Sequence, residues 1–229
     1  MINNKRILGL IPARAGSKGI PNKNMVLLYG RPLIHWTIIS AQKSNYIDEI
    51  IVSTDDPAIQ SYALERGCNA NELRPSYLAT DSASSIDVIK EVLERQGDFD
   101  YVLLLQPTSP LRQPDDIDRC IVTAEQNRLQ SLISVTESKE HPFLAYEQLP
   151  TGLLSPFVVR DQNASLRRQA LPPSFRINGA IYLVGVKWFL ENSALVTGES
   201  HGFLMPEERS IDIDTRADLA IAEKLLEKG

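Results

Sequence analysis

The sequence predicts an α/β fold with a mostly parallel central sheet and helices on both faces. Short apolar runs alternate with segments of helical spacing from the N-terminus to about Val135, and that order implies crossover connections between parallel strands. Two of the runs, Ile7 to Ile11 and Tyr101 to Leu105, are largely or wholly apolar, as buried strands are. Each empties into a turn of Pro, Gly and polar residues, and sheets of this kind bind ligands beyond the carboxyl ends of their strands.

The first strand, with Ile7, Leu8, Leu10 and Ile11, ends at Pro12. Arg31 to Ser44 reads as a helix, with Pro32 near its first turn and Leu33, Trp36, Ile38 and Ile39 at mostly helical spacing. Ile47 to Ser53 reads as a strand, and Pro57 starts a helix through Ile59, Ala63 and Leu64 to Gly67. A polar loop, Arg74 to Ser85, leads to a helix from about Ile86 to Gln96, with Ser84 or Ser85 as its cap. Those serines suit an N-cap, and a helix N-terminus with free N–H groups and hydroxyls also suits an anion or a sugar. After Tyr101 to Leu105 comes a rigid turn, QPTSPLR, whose Gln106 has donors and acceptors for a sugar or base.

Pro114, Asp115 and Asp116 open a helix through Ile117, Ile121 and Ala124, where negative charge is favourable. Leu132 to Val135 is the next strand. From about Lys139 to Arg176 the alternation stops, and short β-like pieces such as Phe157 to Arg160 suggest a lobe inserted beside the sheet. Asn178 to Val184 resumes a core strand, Val186 to Glu191 a short helix, and His201 to Met205 an edge strand. Ser210 to Asp214 alternates polar and apolar residues, which places Ser210, Asp212 and Asp214 on one face of a strand. A last helix covers Arg216 to Leu226, with Leu219, Ala222, Leu225 and Leu226 inward.

The stretch around which the rest is organised is LIPARAGSKGIPNKN, Leu10 to Asn24. Arg14, Lys18 and Lys23 follow the first strand among glycines, a serine and asparagines. Gly16 and Gly19 are expected to let the backbone turn sharply and present its N–H groups, and Pro21 to stiffen the approach to Lys23 and Asn24. Such a loop suits a polyphosphate. It lacks both the GxxxxGK[ST] and the GxGxxG spacings, which weakens the usual NTPase and dinucleotide readings. Many strands end in basic turns that only keep a surface soluble, but three cations in ten residues after a hydrophobic strand favour phosphate.

With 229 residues, the chain can form one well-buried core and has room for a small lobe, so a single domain over 1–229 is expected. The 43% hydrophobic and 23% charged residues are those of an ordinary soluble protein. A net charge of −5 argues against a broad nucleic-acid surface and leaves the loop cations for a small anion. Cys68 and Cys120, without metal or CxxC spacing, read as reduced thiols. His35, His141 and His201 are isolated and read as structural. No stretch reaches membrane-span length and the N-terminus has no signal-peptide layout, so a cytoplasmic location is expected.

Asp212 and Asp214 at alternating positions repel one another unless they are protonated or hold a cation. Oxygen ligands favour Mg²⁺, which usually keeps several waters and bridges one or two carboxylates to substrate phosphates. For Asp214 alone, capping the last helix is an equal reading; the pair, set against a separate cationic loop, favours the metal. Together the loop and the acids imply phosphoryl or nucleotidyl transfer, in which positioning and charge neutralisation do most of the catalysis.

Five segments, in order, resemble the acylneuraminate cytidylyltransferases, a family that includes the CMP-sialic acid synthetases and their relatives for legionaminic and pseudaminic acids. They are IPARAGSKGIPNKN, the Arg74-Pro75 pair with LATDSASS, QPTSPLR, RRQALPPSFRINGAIY (Arg167 to Tyr182) and SIDIDT, and they span nearly the whole chain. The resemblance implies a Rossmann-like three-layer nucleotidyltransferase fold with a small inserted dimerisation lobe at about 139–176, and a homodimer. It implies attack of the anomeric hydroxyl of a nine-carbon 2-keto sugar acid on the α-phosphate of CTP, with no nucleic-acid or membrane partner. Carried over by motif, Arg14, Ser17, Lys18 and Lys23 hold the triphosphate, with Asn24, Arg74 and Ser85 around the cytidine or its phosphates. Gln106, Arg168, Gln169 and Tyr182 face the sugar acid, Arg168 being a bidentate partner for its carboxylate. Asp212 and Asp214 hold Mg²⁺, with Asp214 as the direct ligand, and Arg14, Lys23 and Asp214 form the catalytic set.

One position departs from the family pattern. Where sialic-acid enzymes of the family commonly place a lysine two residues after an HP pair, this chain has His141, Pro142, Phe143 and Leu144. An apolar side chain there removes a donor from the sugar pocket and favours an acid with more acetamido or deoxy positions, such as legionaminic acid. Two alternatives stay open: a nucleotidyltransferase for another sugar, such as an eight-carbon keto acid or a sugar 1-phosphate, and a catalytically silent CTP-binding module.

Overall fold

Both faces of the first strand are buried, and this sets the layering. The computed structural model describes residues 2–17, 19–80, 83–159, 167 and 170–227. In β1 (Ile7–Pro12), Ile7 and Ile11 join one apolar cluster while Leu8 and Leu10 join another, all fully buried. Successive Cβ atoms of a strand point to opposite faces, so each face of the sheet must be covered by helices. The first cluster takes side chains from α1 (Leu33–Gln42), α2 (Pro57–Glu65) and α4 (Pro114–Asn127). The second takes Val88, Ile89 and Val92 from α3 (Ser85–Gln96) and Phe189 from α5 (Val186–Asn192).

Between these layers lie β4 (Glu49–Ser53), β5 (Tyr101–Leu104), β6 (Ser131–Glu137), β9 (Phe175–Gly185) and β10 (His201–Leu204) with β1, in the order β10, β6, β9, β5, β1, β4. β1 runs parallel to β4 and β5, and β10 parallel to β6. β9 is antiparallel to both of its neighbours, so the sheet is mostly parallel, as expected, with one reversed strand. The reason lies in its connection. Residues 138–174 join the end of β6 to the start of β9, which lie at the same end of adjacent strands, as antiparallel neighbours allow and parallel ones do not.

That connecting segment contains a 3₁₀ turn at Pro142–Leu144 and a hairpin of β7 (Tyr146–Gln148) and β8 (Leu154–Pro156). The β-like piece expected at Phe157 to Arg160 is displaced: β8 ends at Pro156, and Arg160 is outside the described residues. Arg31 and Pro32, read as helical, instead form β3 (Arg31–Pro32), paired with β2 (Leu27–Leu28), because proline cannot continue the helical hydrogen bonds on its N-terminal side. Ser210 to Asp214 is extended but joins no sheet. Ser210 is buried while Asp212 and Asp214 are exposed, so the three do not share one face.

A third apolar cluster positions the site. Ile20 from the cationic loop, Leu28, Leu33, Leu111, Ile213 and Ala222 of α6 (Arg216–Leu226) are buried together. Burying each such Leu or Ile contributes roughly 1.5–3 kcal/mol relative to exposure. The apolar members of the polar segments, Ile20 in the loop and Ile213 between the two acids, therefore bring the two ends of the chain together.

Candidate active site

A cleft of about 360 Å³ opens at the carboxyl ends of β1 and β5. Of the residues expected from sequence, Arg14, Ser17, Lys23, Asn24, Arg74, Ser85, Gln106 and Asp214 line it. Tyr182 and Asp212 stand outside this lining, and Lys18, Arg168 and Gln169 fall outside the described residues.

The loop after β1 is fixed by side chains rather than by glycine torsions. Ala13 N donates to Ser53 O at 2.9 Å, Ala15 N to Asp55 Oδ1 at 2.9 Å, and Asn24 Nδ2 closes the loop on Arg14 O at 3.0 Å. Neither Gly16 nor Gly19 is left-handed; the loop's left-handed residue is Asn22, with φ 52°. Gly19 is required for another reason. A Cβ built there would lie far inside van der Waals contact distance of the Asp214 carbonyl oxygen, so glycine permits the close approach of the two backbones.

Lys23 reaches across that contact. Its Nζ donates to Ile213 O and to Asp214 Oδ1, each at 2.9 Å. The Lys23 side chain is 14% exposed and that of Asp214 71%, so the carboxylate keeps an open side toward solvent while the ammonium is sheltered. Asp212 is exposed as a residue, yet its carboxyl is held by the Thr108 side chain. Partial withdrawal from water raises its pKa; the Thr108 hydrogen bond opposes this, and the neighbouring Asp214 charge raises it further. Tyr182, on β9, has its pKa raised by burial and then by the charge of Asp212, which places the phenol near the acids.

Arg74 is 6% exposed and its guanidinium is committed: Nε donates to Ser53 Oγ at 3.0 Å and Nη2 to Ser53 O at 2.5 Å. Burial lowers its pKa, while Asp55 and Glu91 oppose the shift. It supplies charge and a rigid wall more than free donors. Ser84 accepts from Asp87 N at 3.1 Å as the α3 cap, so Ser85 lies in the first helical turn, and Ala83, Ser85 and Val88 bring this helix start to the cleft wall.

Two residues that the motifs do not single out also position the site. Thr108 O accepts from Ile213 N at 2.8 Å, and the Thr108 side chain holds Asp212, so one residue carries the acid segment by both backbone and hydroxyl. Asp55 anchors the cationic loop. Asp55 was marked in sequence only as a polar residue just past a strand end, and Thr108 only as an undistinguished member of QPTSPLR.

The model of the cytidylyltransferase family matches residues 8–225. This chain belongs to the cytidylyltransferase family. The CMP-N,N'-diacetyllegionaminic acid synthase of Legionella pneumophila is 39% identical over 228 residues, covering 97% of each chain. The N-acylneuraminate cytidylyltransferase of Streptococcus agalactiae serotype V is 36% identical over 211 residues, 91% of this cytidylyltransferase but 50% of that longer protein. Among solved structures, CMP:2-keto-3-deoxy-manno-octonic acid synthetase complexed with CTP matches 97% of this chain and 99% of its own with a TM-score of 0.73 at 19% identity. That likeness supports the fold alone.

Proposed function

We propose that this cytidylyltransferase joins CTP to a nonulosonic acid, a nine-carbon 2-keto sugar acid, releasing the CMP-sugar and pyrophosphate. The observation that carries the reading is the ion pair of Lys23 and Asp214, 191 residues apart, which unites a cationic loop and an acid segment at one cleft. The anomeric oxygen bonds to the α-phosphorus as the bond from that phosphorus to the bridging oxygen breaks. Pyrophosphate leaves with the electron pair, and the hydroxyl loses its proton.

Arg14, Ser17, Lys18 and Lys23 hold the triphosphate, and Asn24, Arg74 and Ser85 bound the cytidine or its phosphates. Fixed cations and helix N–H groups oppose charge spreading over phosphate oxygens without reorganising during the step. Gln106, Arg168, Gln169 and Tyr182 face the sugar acid, with Arg168 on its carboxylate. For Lys18, Arg168 and Gln169 the motif alone supports the role.

The donors fit Mg²⁺. Ile213 O and Asp214 Oδ1 already converge on a cation, the Lys23 ammonium, and Asp214 keeps an open side. Mg²⁺ is usually held by one or two carboxylates together with substrate phosphates, and the acid segment offers two. When bound, Mg²⁺ would neutralise phosphate charge and orient the leaving group. Asp212 and Asp214 are the residues that would hold it.

The finer reading is legionaminic acid. Leu144 lies in the 138–174 segment, half exposed and offering no donor, and the 39% identical relative is named for diacetyllegionaminic acid. The protein acts in the cytoplasm as a homodimer. No described helix is long and apolar enough to cross a membrane, and exposed Leu153, Leu154, Phe157 and Phe175 offer apolar surface to a second copy of the chain. Pyrophosphate release across four nucleotides and a panel of N-acetylneuraminic, legionaminic, pseudaminic and eight-carbon keto acids tests all of this. Release with CTP and a nonulosonic acid is expected. None with any nonulosonic acid, or faster release with the eight-carbon acid, overturns the function, and a clear preference for N-acetylneuraminic acid overturns the finer reading.

A further inference from the structure

Two buried hydroxyls that line no part of the cleft, those of Ser134 and Ser210, meet at Asn178. This residue of β9 is 2% exposed. Its Oδ1 accepts from the Ser134 hydroxyl at 2.5 Å and from Ala180 N at 3.1 Å, and its Nδ2 donates to Ser210 Oγ at 2.8 Å. Ser134 and Ser210 are themselves fully buried.

The Ser134 arm stands in a break in the sheet. Pairing of β6 with β9 passes from Ile133 opposite Tyr182 to Val135 opposite Ile177, which leaves residues 178–181 out of register. Ser134 Oγ replaces the lost ladder partner by accepting from Ile181 N at 2.7 Å. A bulge re-aims the chain locally. This one brings Gly179, at φ +76°, so close to the cleft wall that a Cβ there would lie 2.7 Å from Gln106 Oε1. The Ser210 arm leads away from the sheet. Ser210 opens the segment carrying Asp212 and Asp214, and its own hydroxyl donates to Pro206 O at 2.8 Å, so Asn178 is the donor it accepts.

We infer that Asn178 is a positioning residue that sets the two halves of the site relative to one another. Through Ser134 and the bulge it fixes the Gln106 wall; through Ser210 it fixes the acid segment. A buried amide with its partners satisfied admits one arrangement, since any slip leaves polar atoms unpaired in a low-dielectric interior. The roles of the halves, sugar acid at Gln106 and metal-bound nucleotide at the acids, rest on the proposed function.

The arms separate by substitution. Ser210→Ala cuts one, Ser134→Ala the other, and Asn178→Ala both. For each variant, free Mn²⁺ by electron paramagnetic resonance gives the ion's dissociation constant in the presence of CTP, initial rates give KM for the sugar acid, and urea unfolding monitors the fold. Ser210→Ala should weaken Mn²⁺ about tenfold, as loss of support behind a metal ligand does, with the sugar-acid KM moving less than about twofold. Ser134→Ala should raise that KM with Mn²⁺ binding unchanged, and Asn178→Ala should do both. Variants that lose stability with neither constant shifted, or serine variants that shift the same constant, overturn the inference. If Asn178→Ala fails to fold, the two serine variants decide it. If the wild type turns over no nonulosonic acid, the proposed function fails, while the Mn²⁺ and CTP measurement on Ser210→Ala still decides the Ser210 arm.

Discussion

Gly16 and Gly19 look interchangeable in the sequence, but at the residue scale they differ. Among the described residues a Cβ on Gly16 meets Arg14 Nη1 at 3.8 Å, an ordinary contact, whereas a Cβ on Gly19 collides with the Asp214 backbone. Gly19→Ala should therefore cost about 1–3 kcal/mol of stability in urea unfolding, as overpacking does. It should also cost about 10²-fold in turnover by displacing the acid segment from Lys23. Gly16→Ala should stay within about 0.5 kcal/mol of the wild type. Equal stability losses in the two variants would contradict the close approach of loop and tail.

At the element scale, α6 sets where the acid segment ends. Thr215 caps it, and Asp218 Oδ2 accepts from Thr215 N at 2.7 Å and from Asp214 N at 3.2 Å, so the helix start grips the backbone of the acid segment. The Thr215 hydrogen bonds hold the Asp218 pKa below its ordinary 3.8. A depressed carboxyl pKa stabilises the fold above 3.8, and this contribution fades as pH falls through the lower native value. Asp218→Asn should lose about 1 kcal/mol at pH 7, measured by urea unfolding, with the difference vanishing at the acid end; a loss that is constant with pH would contradict it. Elements with strong periodicity were legible in the sequence. The inward set of α6, with Leu219, Ala222, Leu225 and Leu226, lies in or against the third apolar cluster as its spacing implies. The direction of β9 was not legible, because local apolarity carries no information about the sense of pairing. Nor was the non-sheet state of Ser210 to Asp214, where alternation arises from Ile213 packing below the loop rather than from a ladder. Thr108 and Asp55 were missed for a related reason: their partners, Ile213 and Ala15, are set by tertiary contact.

For the whole molecule, the proposed homodimer would cover the apolar side chains of the 138–174 segment and the start of β9. Phe157 is 69% exposed and Phe175 50%. Sedimentation velocity should give twice the chain mass, and Phe157→Asp should shift it toward the monomer; a monomeric wild type would contradict the dimer. Distant parts of the chain meet at one cleft because Ile20, Leu111 and Ile213 share one core, and the chemistry depends on that meeting. Asp214→Ala tests it most directly, with pyrophosphate release and CTP affinity measured on the same preparation. The expected result is a loss of about 10²–10³-fold in kcat with CTP affinity largely retained. Wild-type turnover in that variant would contradict the account.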